Sequence, residues 1–173
     1  MNAKIVVDLG FGDSGKGVTV DYLCSQSKNP IVIRFSGGHN CGHNVIIGDK
    51  KHVHSSYGSG TLRGVPSYFS EHTCIYLPNI LREQEVLKKK GIKPVLYVHP
   101  LARVTTPFDI AFNRATEKVK KHGSVGVGIS ATMKRHDEAG YKLYAVDMLY
   151  PDVFHMKYAR IMTYYANLFQ GIS

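Results

Sequence analysis

Two glycine-rich segments near the N-terminus hold the side chains with the clearest chemical potential. The first is Gly10-Phe11-Gly12-Asp13-Ser14-Gly15-Lys16-Gly17. From Gly10 to Lys16 it fits G-x-x-x-x-G-K, the opening of a loop whose backbone N–H groups and lysine cradle phosphates. The next position in such loops carries a Ser or Thr hydroxyl that binds magnesium; here it is Gly17. Asp13 offers a carboxylate oxygen instead, a donor well matched to Mg2+. A carboxylate beside phosphates is unfavourable without a cation or a catalytic role, so the presence of Asp13 here demands one or the other. The plainer alternative is a turn in which Asp13 caps the following helix; Lys16, correctly placed after an apolar run, argues against it. The second segment, Gly37-Gly38-His39-Asn40-Cys41-Gly42-His43, brings Asn40 and His43. The chain has nine histidines, so chance placement is easy, and His39 reads as structural. His52-x-His54 puts two imidazoles on one face of a strand. With no third ligand near them in sequence, they too read as structural.

These groups need elements to position them. Lys4 to Leu9 is β-branched and apolar, and predicts a buried strand ahead of the first loop. Val18 to Lys28 predicts a helix, ended by Pro30, and Ile31 to Phe35 a second strand. Val45–Ile47 and His52–His54 flank Gly48-Asp49 and predict a hairpin. Gly58 to Ser70 reads as a long polar loop. Cys74–Leu77 and Val95–Val98 read as strands, and Leu81 to Lys90, closed by Gly91, as a helix. Pro107 to His122 is amphipathic and stopped by Gly123; Asp152 to Phe169 predicts a last helix with Asp152 as its cap. Between them lies a third glycine stretch, Gly123 to Ser130. Strands alternating with helices predict an α/β fold, a mostly parallel sheet with flanking helices of P-loop-NTPase type, in a single nucleotide-binding domain over residues 1–173.

Bulk properties bound the function. Hydrophobic residues make up 43% and charged residues 20%, ordinary for a globular protein. No apolar run is long enough for a membrane span. Three cysteines, odd in number and widely spaced, argue against a disulfide framework and for a reducing cytoplasm. The net charge of +9 suits an anionic ligand. No zinc-finger spacing or aromatic-basic repeat supports nucleic-acid binding, and Lys88-Lys89-Lys90 reads as a helix end favoured by the dipole.

Gly12-Asp13-Ser14-Gly15-Lys16-Gly17 resembles the GDEGKG loop of adenylosuccinate synthetases, and Gly37 to His43 resembles their GGHNAGH motif with Cys41 for alanine. Weaker similarity continues through Ser59–Leu62, Pro78, Thr106–Ala115 and Gly126–Ile129. The resemblance implies a ligase of purine biosynthesis: GTP phosphorylates O6 of IMP with Mg2+, and L-aspartate displaces that phosphate. It implies Asp13 as base and metal ligand, His43 as acid and phosphoryl contact, and Lys16 as the charge offset, with the Gly42 carbonyl completing the metal site. GTP phosphates would meet Gly12, Asp13, Ser14, Gly15, Lys16, Gly17, Val18, Gly42, His43 and Asn44. The purine nucleotide would meet Asp13, Ser14, Gly15, Lys16, Asn40, Cys41, Gly42, His43, Ser124 and Val125. A homodimer is implied, with an arginine reaching across it; Lys134 and Arg135 are the candidates.

The departures are also informative. Phe11 and Ser14 replace the family's tryptophan and glutamate, Ser124-Val125 replaces two threonines, and Val127 replaces an arginine. Family members are longer, and their guanine and aspartate sites lie in the part without a counterpart here. The expectation is a catalytic N-terminal part or a short relative. Two alternatives stand beside it: a phage-type enzyme acting on dGMP, for which ATP is a possible donor, and a non-catalytic nucleotide-binding fragment. Cys41, beside bound phosphates, is not expected to be a nucleophile.

Overall fold

The computed structural model describes residues 2–10, 12–120 and 125–171. The elements run α1 (Lys16–Ser25), β1 (Val32–Arg34), β2 (His43–Ile47), β3 (Lys50–His54), β4 (Ser67–Phe69), β5 (Cys74–Ile75), α2 (Leu77–Lys89), β6 (Leu96–Val98), β7 (Arg103–Val104), α3 (Pro107–Lys120), α4 (Ile129–Asp137) and α5 (Pro151–Gln170). Single 3-10 turns occupy Thr61–Arg63 and Ala145–Leu149. The alternation of strand and helix is the expected α/β organisation. No described helix is long and apolar enough to cross a membrane.

The chain divides into two compact units. The first comprises Met1–Arg34, Cys41–Tyr68 and Pro78–Tyr97; the second comprises Phe35–Asn40, Phe69–Leu77 and Val98–Ser173. The principal sheet has the order β1-β4-β6. Ser67 N–H donates to the Val95 carbonyl at 2.9 Å and His99 N–H to the Phe69 carbonyl at 2.8 Å, so residue numbers rise together and β4 and β6 run parallel. In the first unit β2 and β3 form an antiparallel hairpin turning at Gly48-Asp49, with His43 opposite His54 and Val45 opposite His52. In the second unit β5 and β7 pair in parallel, Cys74 beside Arg103.

Several sequence expectations need correction. Lys4–Leu9 is not a strand; the residues have no regular structure, and Ile5 and Leu9 are 86% and 96% exposed. A strand needs neighbours for its N–H and C=O groups, and none of the three sheets includes this run. The same alternation appears elsewhere in the first unit: Ile31 and Ile33, and Val95 and Tyr97, are exposed at every second position. The segment from Gly58 to Ser70 is not a polar surface loop. Leu62, Val65 and Phe69 are buried in it, and it contributes β4. Helix α2 begins at Leu77, so the Cys74–Leu77 strand shortens to Cys74–Ile75. Helix α5 starts with Pro151 at its first position, where a missing N–H costs nothing, so Asp152 lies within the first turn rather than at the cap. The C-terminal end expected for α3, at His122 and Gly123, lies outside the described residues.

The core of the second unit holds a charged knot. Asp109 is fully buried and accepts hydrogen bonds from Arg135 Nε at 2.8 Å, Tyr165 OH at 2.6 Å, and the Thr106 N–H and hydroxyl, each at 2.7 Å. Arg135 is 0% exposed and also donates to the carbonyls of Val104 and Tyr141. A buried ion pair is tolerable when hydrogen bonds satisfy its remaining valences, as they do here.

Candidate functional site

The first glycine loop gets its shape from left-handed backbone. Gly12 and Gly15 have φ 101° and 75°, and Asp13, without a glycine's freedom, has φ 51°. Asp is among the few residues that adopt this region readily. Gly15 occupies the cap position of α1, and no side chain hydrogen-bonds to the helix start. Asp13 therefore does not cap α1, and the N–H groups of the first turn are presented bare. That arrangement, with the positive end of the helix dipole, attracts an anion. The Asp13 carboxylate is exposed and has no partner among the described residues.

Lys16 is engaged elsewhere in the loop. Its ammonium donates to Asp8 Oδ2, while the Gly10 N–H donates to Asp8 Oδ1 at 2.8 Å. The Lys16 hydrogen bond, then those from Gly10 and Ser14, hold the Asp8 carboxyl down to about 2. Asp8 was legible only as part of an apolar run; the structure makes it the internal anion that holds the Lys16 ammonium.

The absence of a hydroxyl after Lys16 has a steric cause. A Cβ built on Gly17 would lie 2.6 Å from the His43 Cβ and 3.3 Å from the His43 Cα. Helix α1 and strand β2 thus meet at this glycine, and His43 is seated against the first turn of α1. Burial, followed by the charges of Arg34 and Lys16, lowers the His43 pKa, which keeps its imidazole neutral at physiological pH. Arg34 sits on the same side: its guanidinium donates to the carbonyls of Ser55 and Ser56, each at 2.7 Å, and to Cys41 Sγ at 2.8 Å. No disulfide joins Cys24, Cys41 and Cys74.

The other expected ligands fall in the second unit. Gly37–Asn40, the first half of the second glycine segment, is fixed there against the third glycine stretch. His39 is buried, its Nε2 lies 2.9 Å from the Val127 carbonyl, and its ring packs on Tyr76. A Cβ on Gly38 would come within 2.6 Å of Ile129 Cδ1. His39 is thus structural, as expected, and Asn40 is exposed. Gly128, at φ 84°, starts α4 without a side-chain cap, a second helix of the same construction as α1. This helix was missed in the sequence because glycines mask its start. Val125 is exposed; Ser124 lies outside the described residues.

The donors expected for a cation at the first loop are oxygen atoms, the type a hard divalent cation takes. The Asp13 carboxylate and the Gly42 carbonyl belong to exposed residues in one unit, and both offer oxygen.

The sequence profile described as adenylosuccinate synthetase matches residues 5–173. The chain belongs to the adenylosuccinate synthetase family. It is 32% identical over 169 residues to the adenylosuccinate synthetase of Dechloromonas aromatica, covering 93% of this chain and 38% of the relative. With that of Neisseria gonorrhoeae it shares 30% over 171 residues, 94% of this chain and 39% of the relative. The chain thus spans well under half the length of these relatives. Two solved structures share the fold: fully ligated adenylosuccinate synthetase from Plasmodium falciparum (TM-score 0.76, 23% identity, 94% of this chain and 39% of that one) and a cyanophage S-2L succinoaminodeoxyadenylate synthetase bound to dGMP and dATP (TM-score 0.61, 24% identity, 83% and 40%). One expectation drawn from the adenylosuccinate synthetase family fails. Arg135 cannot reach across a dimer, because it is buried in the knot with Asp109; Lys134 is exposed.

Proposed function

We propose that this chain carries the triphosphate-binding and phosphoryl-transfer residues of an adenylosuccinate synthetase reaction. In that reaction the γ-phosphoryl group of GTP passes to O6 of IMP, releasing GDP. The amine of L-aspartate then attacks C6, and inorganic phosphate leaves with the O6–C6 bonding pair. The observation that carries the reading is the bare N-terminus of α1, preceded by Asp13, begun by Lys16 and closed on one side by His43 at Gly17.

Each residue has a task. The loop N–H groups and Lys16 hold the phosphates, and Lys16 exchanges Asp8 for them. Asp13 accepts the N1 proton of the purine, which makes O6 nucleophilic. His43, neutral and able to donate, hydrogen-bonds the phosphoryl oxygen as charge builds there. Mg2+, held by Asp13 and the Gly42 carbonyl, would neutralise phosphate charge when bound. The remaining loop residues, Gly12, Ser14, Gly15, Val18 and Asn44, and the purine contacts Asn40, Cys41, Ser124 and Val125, complete this reading, as do a homodimer and a cytoplasmic setting.

The loop grips phosphates through backbone, which does not discriminate between bases; base choice needs dedicated donors and acceptors. Calorimetric titration with GTP and ATP, each with and without Mg2+, should show magnesium-dependent binding of similar affinity. Failure to bind either triphosphate would overturn the site. Phosphate release is then measured with IMP or dGMP, L-aspartate and each triphosphate. Hydrolysis indifferent to both the purine nucleotide and aspartate would overturn the ligase reading.

A further inference from the structure

The hairpin places a second, unrelated donor set in the first unit. His52 and His54 alternate along β3, so both side chains fall on one face, and both are buried. Glu83 reaches them from α2 and is buried too. His52 Nε2 lies 3.1 Å and His54 Nδ1 3.7 Å from Glu83 Oε1. One ligand atom from each of the three residues falls within 4.8 Å of the others. Two ligands at zinc distances in a tetrahedral site stand about 3.4 Å apart, and the two measured separations bracket that value.

An independent observation points the same way. Neither ring nitrogen of His54 has a hydrogen-bond partner among the described residues, although the side chain is wholly buried. Buried polar atoms are otherwise almost always satisfied, so an imidazole left bare calls for an unmet ligand. Glu83 is held in place from behind: its Oε2 accepts from the Ser55 hydroxyl at 2.9 Å and the Ser56 N–H at 2.5 Å, and the Ser55 N–H reaches Oε1 at 3.3 Å, on the side the histidines approach. Such outer hydrogen bonds are what orient a metal ligand.

We propose that His52, His54 and Glu83 form a site for a borderline divalent transition metal ion, zinc by preference, separate from the hard-cation position at the glycine loop. Two imidazoles and one carboxylate select zinc or cobalt over magnesium. An open groove of about 430 Å³ runs along His52, Glu83, Arg82 and Lys90. It supplies the route in and a place for a water as fourth ligand. Lys90 is the gate: its ammonium lies 3.2 Å from His52 Nδ1 and also donates to the Lys51 carbonyl. Metal on Nε2 moves the ring proton to Nδ1, so the ammonium must withdraw from that nitrogen.

The test uses the whole chain, freed of metal with a chelator and titrated with Co2+ alone, then Zn2+ in competition. The expected result is one equivalent of Co2+ with the intense visible absorption of a four-coordinate site, displaced by Zn2+ and untouched by excess Mg2+. His52→Gln and Glu83→Gln, each shown to be folded by circular dichroism, should weaken binding by more than the roughly 10–100-fold cost of outer-shell changes. Lys90→Met should strengthen it, and Cys41→Ser should leave it unchanged. No stoichiometric Co2+ or Zn2+ binding by the folded parent chain would overturn the proposal. Binding that survives both ligand substitutions, or vanishes with Cys41→Ser, would overturn it equally.

Discussion

The contact between Gly17 and His43 makes a quantitative prediction. A Cβ at position 17 would sit 2.6 Å from the His43 Cβ, whereas carbon atoms rest about 3.5–4.0 Å apart. Helix α1 and strand β2 would have to part by about 1 Å. Forcing a methyl into a packed contact costs about 1–3 kcal/mol, so Gly17→Ala should lower unfolding stability by that amount in urea. Residue 17 is a glycine inside a helix, and helix propensity alone would favour alanine by up to about 1 kcal/mol; a net loss is therefore diagnostic of the clash. His43→Gly removes the opposing Cβ. In that background Gly17→Ala should become neutral or stabilising, a coupling of about 1–3 kcal/mol in the double-mutant cycle. If the two substitutions add to within about 0.5 kcal/mol, the packing argument for Gly17 is wrong, and so is the account of why the loop lacks a hydroxyl.

Four other outcomes follow from the structure. Asp13→Asn, exposed and still tolerant of left-handed backbone, should leave stability intact but abolish the magnesium dependence of triphosphate binding; a retained dependence would remove Asp13 from the metal site. His43→Asn should cost about 2.7–4 kcal/mol in the phosphoryl-transfer step, measured as single-turnover rate, whereas His39→Asn should act on stability; the reverse pattern would exchange their roles. Asp109→Asn leaves Arg135 buried without its counter-charge and should lose about 3–5 kcal/mol by denaturant titration; a loss under about 1 kcal/mol would contradict the knot. His136 is buried, its Nε2 accepts the Leu143 N–H at 3.1 Å, and burial, then the charges of Arg135 and Arg103, lowers its pKa to about 4. The unfolded chain takes up that proton first, so stability is full above about pH 6.5 and falls towards pH 4, by up to about 1.4 kcal/mol per pH unit from this group. His136→Gln, which keeps an acceptor, should flatten that slope between pH 6.5 and 4; an unchanged slope would assign it to other groups.

The chemistry-bearing loops were readable because glycine spacing encodes backbone shape directly. The β2–β3 hairpin was readable for the same reason. What escaped the sequence were residues whose meaning is set by distant partners. Glu83 looks like one charge among several on a polar helix. Yet Ile80, Glu83 and Leu87 are its buried residues, at helical spacing, and a carboxylate on that stripe was the available sign that it meets something inside. Arg135 is the parallel case on α4, where Ala131, Thr132 and His136 share its buried side. Lys4–Leu9 failed in the opposite direction: its pattern states a strand's preference, but pairing depends on neighbours that a local pattern cannot supply.

The exposed alternate residues of the first unit give the molecule two opposed responses to salt. Ile5, Val7, Leu9, Ile31, Ile33, Val95 and Tyr97 stand in water on a chain of net charge +9. Chloride salts screen charge and would loosen the phosphate grip proposed for the loop, leaving the apolar rows nearly indifferent. Strongly excluded anions drive those rows out of water and into contact with one another. Sulfate would do both at once, because it is excluded from apolar surface and is also a tetrahedral dianion of the shape proposed to dock at the bare start of α1. Its concentration would then set, on opposite sides, how much of the chain is dispersed and how much of its loop is open.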